Sequence, residues 1–149
     1  MEEPARNPAL EALDMLVGEW SLEATHPAYP STVVPGRATF EWLEGRRFLI
    51  QRSRSDHPDF PDSISVIGAA AESEQLSAHY FDSRGVQRTY GMSMSDGVMR
   101  MWRDEPGFAQ RFTGRLGDGG ETISGLWELC RDGSTWNDDL EVSFRRAAG

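Results

Sequence analysis

The stretch "VQRTYGMSM", residues 86–94, alternates along a predicted strand and contains an arginine and a tyrosine two positions apart. Alternation places Arg88 and Tyr90 on the same face as Met92 and Met94, about 7 Å apart along the strand. A guanidinium beside a phenol can hold a carboxylate through charge-assisted hydrogen bonds. Because an isolated buried charge is costly, Arg88 can instead pair with an internal acid or point outward at a strand bend.

Other predicted strands also place polar side chains on apolar faces. Arg52 lies in "RFLIQRS", and Gln110 lies between two phenylalanines in "FAQRFTG". In "VMRMWRD" either Arg100 or Arg103 can face inward. Recurrent internal polar groups favour a cavity lined by aromatic rings and a few hydrogen-bonding anchors, although any one ring can equally be plain core. We predict these ligand-binding residues: Arg88, Tyr90, Arg52, Gln110, Trp42, Phe40, Phe108 and Phe112.

His79, in "AHYFDSRG", is a histidine predicted to lie within a strand. If its ring points inward, it is the candidate catalytic acid or base, because imidazole exchanges protons near neutral pH. The alternative is an exposed or hydrogen-bonded histidine without a chemical role. The direction of this side chain therefore separates an enzyme from a simple binding protein.

Composition excludes several classes of function. A net charge of −9 argues against nucleic-acid binding and against anionic membrane surfaces. All basic residues apart from histidine are arginine, which excludes Schiff-base and P-loop lysine chemistry. The acidic loop "SDHPDFPD" matches no metal-binding spacing, and we predict no metal site. The lone Cys130 and the absence of an apolar signal or membrane segment favour a cytoplasmic protein.

One short helix is predicted ahead of a chain of strands. "NPALEALDMLVG" predicts a helix over about 8–17, with Asn7 as N-cap, Pro8 in the first turn and Gly18 as the stop. From about residue 19 onward the apolar period is two, and glycine-containing turns such as "DSRG" and "SDG" separate the segments.

About ten strands follow from this pattern. They lie in "EWSLEATH" and "RATFEW" and near residues 47–54, 63–68, 76–82, 86–94, 98–103, 108–115, 122–130 and 136–145. The stretches "HPAYPSTVVPG" and "DHPDFPD" are predicted surface loops. Tight turns between amphipathic strands favour a closed barrel, which leaves no exposed edge. We predict an all-β protein, a single antiparallel up-and-down β-barrel forming one domain over residues 1–149.

Gly18-Glu19-Trp20, directly after the short helix, resembles the opening motif of the calycin superfamily. The resemblance implies a barrel closed at one end by the tryptophan. The strand count is similar to the fatty-acid-binding and nitrobindin branches rather than to the eight-stranded lipocalins. Fatty-acid-binding proteins hold a ligand carboxylate with an Arg-x-Tyr pair, and Arg88-Thr89-Tyr90 has that spacing, although it lies mid-chain rather than in the last strand.

The stretch "LVGEW…GRATFEWLEGRRFL…HYFDSRGVQRTY" also resembles a group of small bacterial barrels of uncharacterised function. Nitrobindins hold haem through a histidine near the C-terminal end, whereas "LWELCRDGSTWNDDLEVSFRR" contains none. We therefore predict no haem held in that manner and no other cofactor.

Three functions are compatible with these patterns. The first is a binding protein for a small, partly apolar, anionic molecule in the barrel cavity, with Arg88 and Tyr90 at its polar end. The second is a small barrel enzyme, an isomerase, cyclase or hydrolase, using His79 beside the Arg88/Tyr90 clamp. The third is a homodimeric structural module with a filled barrel. None of the three involves nucleic acid or a membrane.

Overall fold

A computed structural model describes residues 5–70 and 73–147 of the chain. Within these residues, ten strands form a closed antiparallel barrel in which β10 pairs with β1. The strands are β1 Gly18–His26, β2 Tyr29–Trp42, β3 Leu49–Ser55, β4 Ser63–Ala69, β5 Leu76–Asp82, β6 Gln87–Ser95, β7 Val98–Arg103, β8 Ala109–Gly117, β9 Thr122–Cys130 and β10 Trp136–Arg146. The predicted all-β, up-and-down barrel is confirmed. Among the helices so described, none has the length and apolarity needed to cross a membrane.

A 3₁₀ helix, Pro8–Leu16, closes one end of the barrel. Its N-cap is Asn7 as predicted, because the Asn7 side chain accepts a hydrogen bond from the Ala9 amide at 3.0 Å. Leu10, Leu13 and Leu16 are at most 1% exposed, so one face of the helix is sealed against the strands. The helix therefore acts as a plug, and we call this side of the barrel the closed end.

Trp20 lies directly beneath the plug. Its indole Nε1 donates to the Leu16 carbonyl at 2.9 Å, which fixes the ring to the last turn of the helix. The ring meets Phe144 edge to face at 6.4 Å, and the Arg146 guanidinium lies 4.2 Å above it. Arg146 also donates to the Val17 carbonyl at 2.7 Å. These contacts tie the last strand and the helix to the same tryptophan.

The prediction of a surface loop at "HPAYPSTVVPG" is wrong. Most of this stretch is the first part of β2, which pairs with β1 from His26↔Tyr29 onward. The Pro35 carbonyl accepts a hydrogen bond from the Asp56 amide at 3.1 Å, so it faces the β3 side. The nitrogen and carbonyl of one strand residue point to the same side, so the Pro35 nitrogen, which has no hydrogen to donate, also faces β3. The β2–β3 ladder begins only at Gly36↔Ser55, so the missing N–H removes no ladder bond. By contrast, the predicted loop at "DHPDFPD" does lie between β3 and β4.

Candidate functional site

The half of the barrel away from the plug encloses a cavity of about 470 Å³. This volume lies within the roughly 300–1,000 Å³ typical of small-molecule sites. Inward side chains of β3 to β6 supply mostly polar groups to its wall, and those of β7 to β9 supply methionine and aromatic side chains. The loop containing Phe60 and the β5–β6 turn containing Arg84 contribute to its rim. We call this side the mouth.

Arg88 lies on the cavity wall near the mouth, as the alternation of β6 predicted. The side chain is half-buried, and its guanidinium carbon lies 5.1 Å from the centre of the Phe108 ring. No carboxylate within residues 5–70 and 73–147 forms an ion pair with it. The alternative of an internal acid partner is therefore not realised there, and the cation faces a concave, partly apolar space.

Tyr90 and Gln110 form a buried pair inside the same cavity. The Tyr90 phenol donates to Oε1 of Gln110 at 3.0 Å, and the two residues are 3% and 8% exposed. Burial raises the pKa of Tyr90, while the positive charge of the nearby Arg88 guanidinium opposes that rise. Tyr90 is thus a neutral hydrogen-bond donor at neutral pH, placed between a cation and an amide.

Phe112 and Trp127 form an aromatic wall with Tyr90. The Phe112 and Trp127 rings are 5.1 Å apart, and Trp127 and Tyr90 are 5.6 Å apart. Phe112 lies against two glycines, since a Cβ on Gly114 or Gly125 would come within 2.9 Å and 2.4 Å of its ring. The missing side chains let the phenylalanine lie along the wall instead of filling the cavity.

A polar cluster at the β5–β6 turn borders the mouth. The Asp82 side chain is 0% exposed, and its Oδ2 accepts from the Tyr80 hydroxyl at 2.8 Å and from Arg84 Nη2 at 2.7 Å. The Arg84 guanidinium holds the pKa of Asp82 well below its usual range. Burial, followed by the hydrogen bond to this carboxylate, raises the pKa of Tyr80. The side chains of Arg84 and Tyr80 are therefore both already hydrogen-bonded to Asp82.

Two predicted site residues, Arg52 and His79, lie on the outer surface of the barrel. On β3 the inward residues are Leu49, Gln51 and Ser53, and Arg52 is exposed on the outer surface, where it pairs with Glu41 at 3.1 Å. Arg52 is therefore not part of the cavity wall. Apolar side chains occur on both faces of this strand, so alternation alone left the direction of Arg52 open.

His79 also points outward. Its ring is exposed, and Nδ1 lies 3.3 Å from the Thr89 hydroxyl on the outer face, whereas its neighbour Tyr80 lines the cavity. The condition set for the enzyme alternative, a His79 that shares the cavity with Arg88 and Tyr90, is not met. On β7, Met99 and Met101 line the cavity, and Arg100 is exposed.

The two predicted aromatics of β2 belong to the closed end of the barrel. Phe40 is 2% exposed in the apolar core. Trp42 donates from Nε1 to Asp14 Oδ1 at 2.9 Å, and the Arg6 guanidinium lies 4.4 Å from its ring. Neither residue lines the cavity. Of the predicted ligand-binding residues, five come together on its wall: Arg88, Tyr90, Gln110, Phe108 and Phe112.

Sequence reasoning missed the serines of the cavity wall. Ser63 and Ser65 alternate with Ile64 and Val66 on β4, a pattern that predicts the serines to face water. The structure has the opposite orientation, since both serines line the cavity and Ile64 is 43% exposed. A hint was available in Ile67, which shares the serine face and is 2% exposed. Within the described part of the chain, no three His, Cys, Asp or Glu side chains are placed to hold a metal ion.

Comparison with known proteins adds a likeness of fold. No protein-family model matches the sequence, and no curated protein sequence matches it. Among solved structures, the crystal structure of Rv2717c from M. tuberculosis is similar, with a TM-score of 0.67 and 16% sequence identity. The match covers 97% of this chain and 100% of the other. At this identity the similarity establishes the small closed barrel and nothing about a ligand.

Proposed function

We propose that this chain is a binding protein for a small, partly apolar, anionic molecule held in the barrel cavity. The observation that carries the proposal is Arg88, a half-buried guanidinium on the cavity wall with no carboxylate partner in the described residues. Removing a charge from water without a partner is costly, so an unpaired cation facing a cavity is suited to an anionic ligand. Gly18-Glu19-Trp20 resembles the calycin opening motif, and we include a calycin-like barrel in the proposal.

The other charges at the mouth support this assignment. Arg84 is paired with Asp82, and Asp139 lies 3.1 Å from His26. Two arginines that border the cavity, Arg54 and Arg88, have no ion pair among the described residues. Arg54 is exposed whereas Arg88 is half-buried, so Arg88 is the cation that a ligand carboxylate can engage inside the barrel without breaking an ion pair. The net charge of −9 repels anions at long range, but surface charges are largely screened beyond about 8 Å at physiological salt. A direct contact with Arg88 dominates once the ligand is inside.

The cavity and the position of His79 also favour a binding protein over the two alternative functions. A volume of about 470 Å³ counts against the filled barrel of the structural module. The enzyme alternative loses its acid–base residue, because the His79 ring lies on the outer surface. Apolar burial against the aromatic wall and one charge-assisted hydrogen bond suffice for binding without catalysis.

The test uses naphthoic acid and its methyl ester, titrated calorimetrically into the wild type, Arg88→Ala and Arg100→Ala. Arg100 is an exposed arginine of the neighbouring strand and serves as the matched control. We expect the acid to bind the wild type more tightly than the ester. Arg88→Ala should weaken the acid about 10- to 100-fold, the worth of one hydrogen bond to a charged group, and leave the ester unchanged.

Two results would overturn the proposal. Absence of binding by both acid and ester would remove the binding function. An equal loss of acid and ester affinity in Arg88→Ala would remove the carboxylate role of Arg88. Arg100→Ala must bind both probes like the wild type, which would show that the effect of Arg88→Ala comes from the cavity and not from the loss of one positive charge.

A further inference from the structure

A row of polar side chains crosses the cavity wall from β3 to β6. Gln51, Ser65, Tyr80 and Arg88 are successive backbone partners in the sheet, and all four line the cavity. Neighbouring strands lie about 4.8 Å apart, so the row places a polar group at each strand spacing. Ser65 and Arg88 are two spacings apart, which puts their backbones ~10 Å from each other.

Besides Arg88, Ser65 is the member of this row that can form a hydrogen bond with a ligand in the cavity. The Gln51 amide donates to Ser53 at 3.2 Å, and the Tyr80 hydroxyl donates to Asp82. Ser65 is only 6% exposed, and its hydroxyl has no hydrogen-bond partner within residues 5–70 and 73–147. Among the described residues, every fully buried side-chain nitrogen or oxygen has a hydrogen-bond partner. Because the Ser65 hydroxyl has no partner, it is not fully buried and must border the cavity.

The opposite wall carries a second row with a different character. Met92, Met101, Phe112 and Trp127 are successive backbone partners across β6 to β9. The last three line the cavity, and Met92 is buried in the core. The Phe112 and Trp127 rings are tilted by 42° to each other, and Tyr90 meets Trp127 at 64°. Aromatic rings and methionine sulfur contact flat π-systems favourably. The cavity thus has an aromatic side and a hydrogen-bonding side.

We propose that the ligand is a flat aromatic acid with a hydroxyl or carbonyl group remote from its carboxylate, rather than a straight-chain fatty acid. This inference rests on the proposed function, because it takes Arg88 as the carboxylate contact. The remote polar group meets Ser65, and the ring system lies against Phe112 and Trp127. A fatty-acid chain would displace water from the Ser65 hydroxyl and offer nothing in return, which is costly for a buried polar group.

The test compares three acids: naphthoic acid, a hydroxynaphthoic acid whose hydroxyl lies at the opposite end of the rings from the carboxylate, and decanoic acid. In the wild type we expect the hydroxynaphthoic acid to bind about fivefold more tightly than naphthoic acid, the worth of one neutral hydrogen bond. Decanoic acid should bind more weakly than either. This comparison requires no variant and does not depend on the folding of one.

Ser65→Ala then locates the effect. We expect it to abolish the advantage of the hydroxylated acid over naphthoic acid, whereas Ser93→Ala, on the outward face of β6, should keep that advantage as in the wild type. The inference is overturned if the hydroxyl brings no advantage, if the advantage survives in Ser65→Ala, or if decanoic acid binds most tightly. Each of these results can occur while the wild type still binds naphthoic acid more tightly than its methyl ester. The proposed function is therefore tested independently of this inference.

Discussion

Tyr90 on β6 and Gln110 on β8 are joined by a hydrogen bond of 3.0 Å that spans the strand between them. The bond orients the Gln110 amide, since Oε1 is turned toward the phenol. The amide nitrogen has no partner within the described residues and is left for the cavity that Gln110 lines. This buried hydrogen bond therefore determines which end of the Gln110 amide is available to the cavity.

Replacing Tyr90 with phenylalanine should lower the free energy of unfolding by about 1–3 kcal/mol, because Oε1 of Gln110 loses its partner in a buried position. Urea denaturation measures this difference. The control is Tyr29→Phe, at a residue that is 70% exposed, and its effect should stay within about 0.5 kcal/mol. Equal effects of the two substitutions would show that the buried hydrogen bond contributes nothing to stability.

The plug helix should be a major source of stability. Leu13→Ala removes a side chain that is 0% exposed and is expected to cost about 2–5 kcal/mol in unfolding free energy. Met15→Ala, in the same helix but 44% exposed, is the matched control and should cost less than about 0.5 kcal/mol. Chemical denaturation of both variants tests this. Similar costs would mean that the helix is not packed as a plug.

Asp82 should make stability depend on acidity. Its pKa is held well below the usual range by Arg84, so the carboxylate form is favoured in the folded state. The stabilisation is present above about pH 4, the region of an unfolded aspartate, and is lost as the pH falls below it. Asp82→Asn should therefore be less stable than the wild type at neutral pH and should lose less stability on acidification.

Urea denaturation over a pH series measures this effect. Asp104→Asn replaces an exposed aspartate without a side-chain hydrogen bond in the described residues, and its curve should run parallel to that of the wild type. An Asp82→Asn curve that is also parallel would assign the acid sensitivity to other groups.

The number and order of the strands could be predicted from local sequence patterns. Period-two alternation and glycine-containing turns are local properties, and they located all ten strands of the barrel. The Asn7 cap and the inward face of β6, with Arg88 and Tyr90, were likewise predictable. In those segments one face is clearly more polar than the other, so the inward direction follows from composition.

In strands with apolar residues on both sides, the face that points inward could not be predicted from the sequence. The contacts between inward residues of different strands could not be predicted either. Ser65 faces the cavity although Ile64 beside it is apolar, and Arg52 faces solvent although it shares a strand face with the apolar Ile50. Alternation separates two faces but does not say which one a closed barrel encloses. The cross-strand register then aligned Ser65, Tyr80 and Arg88 in one row, and that alignment depends on pairing between distant segments that no local pattern encodes.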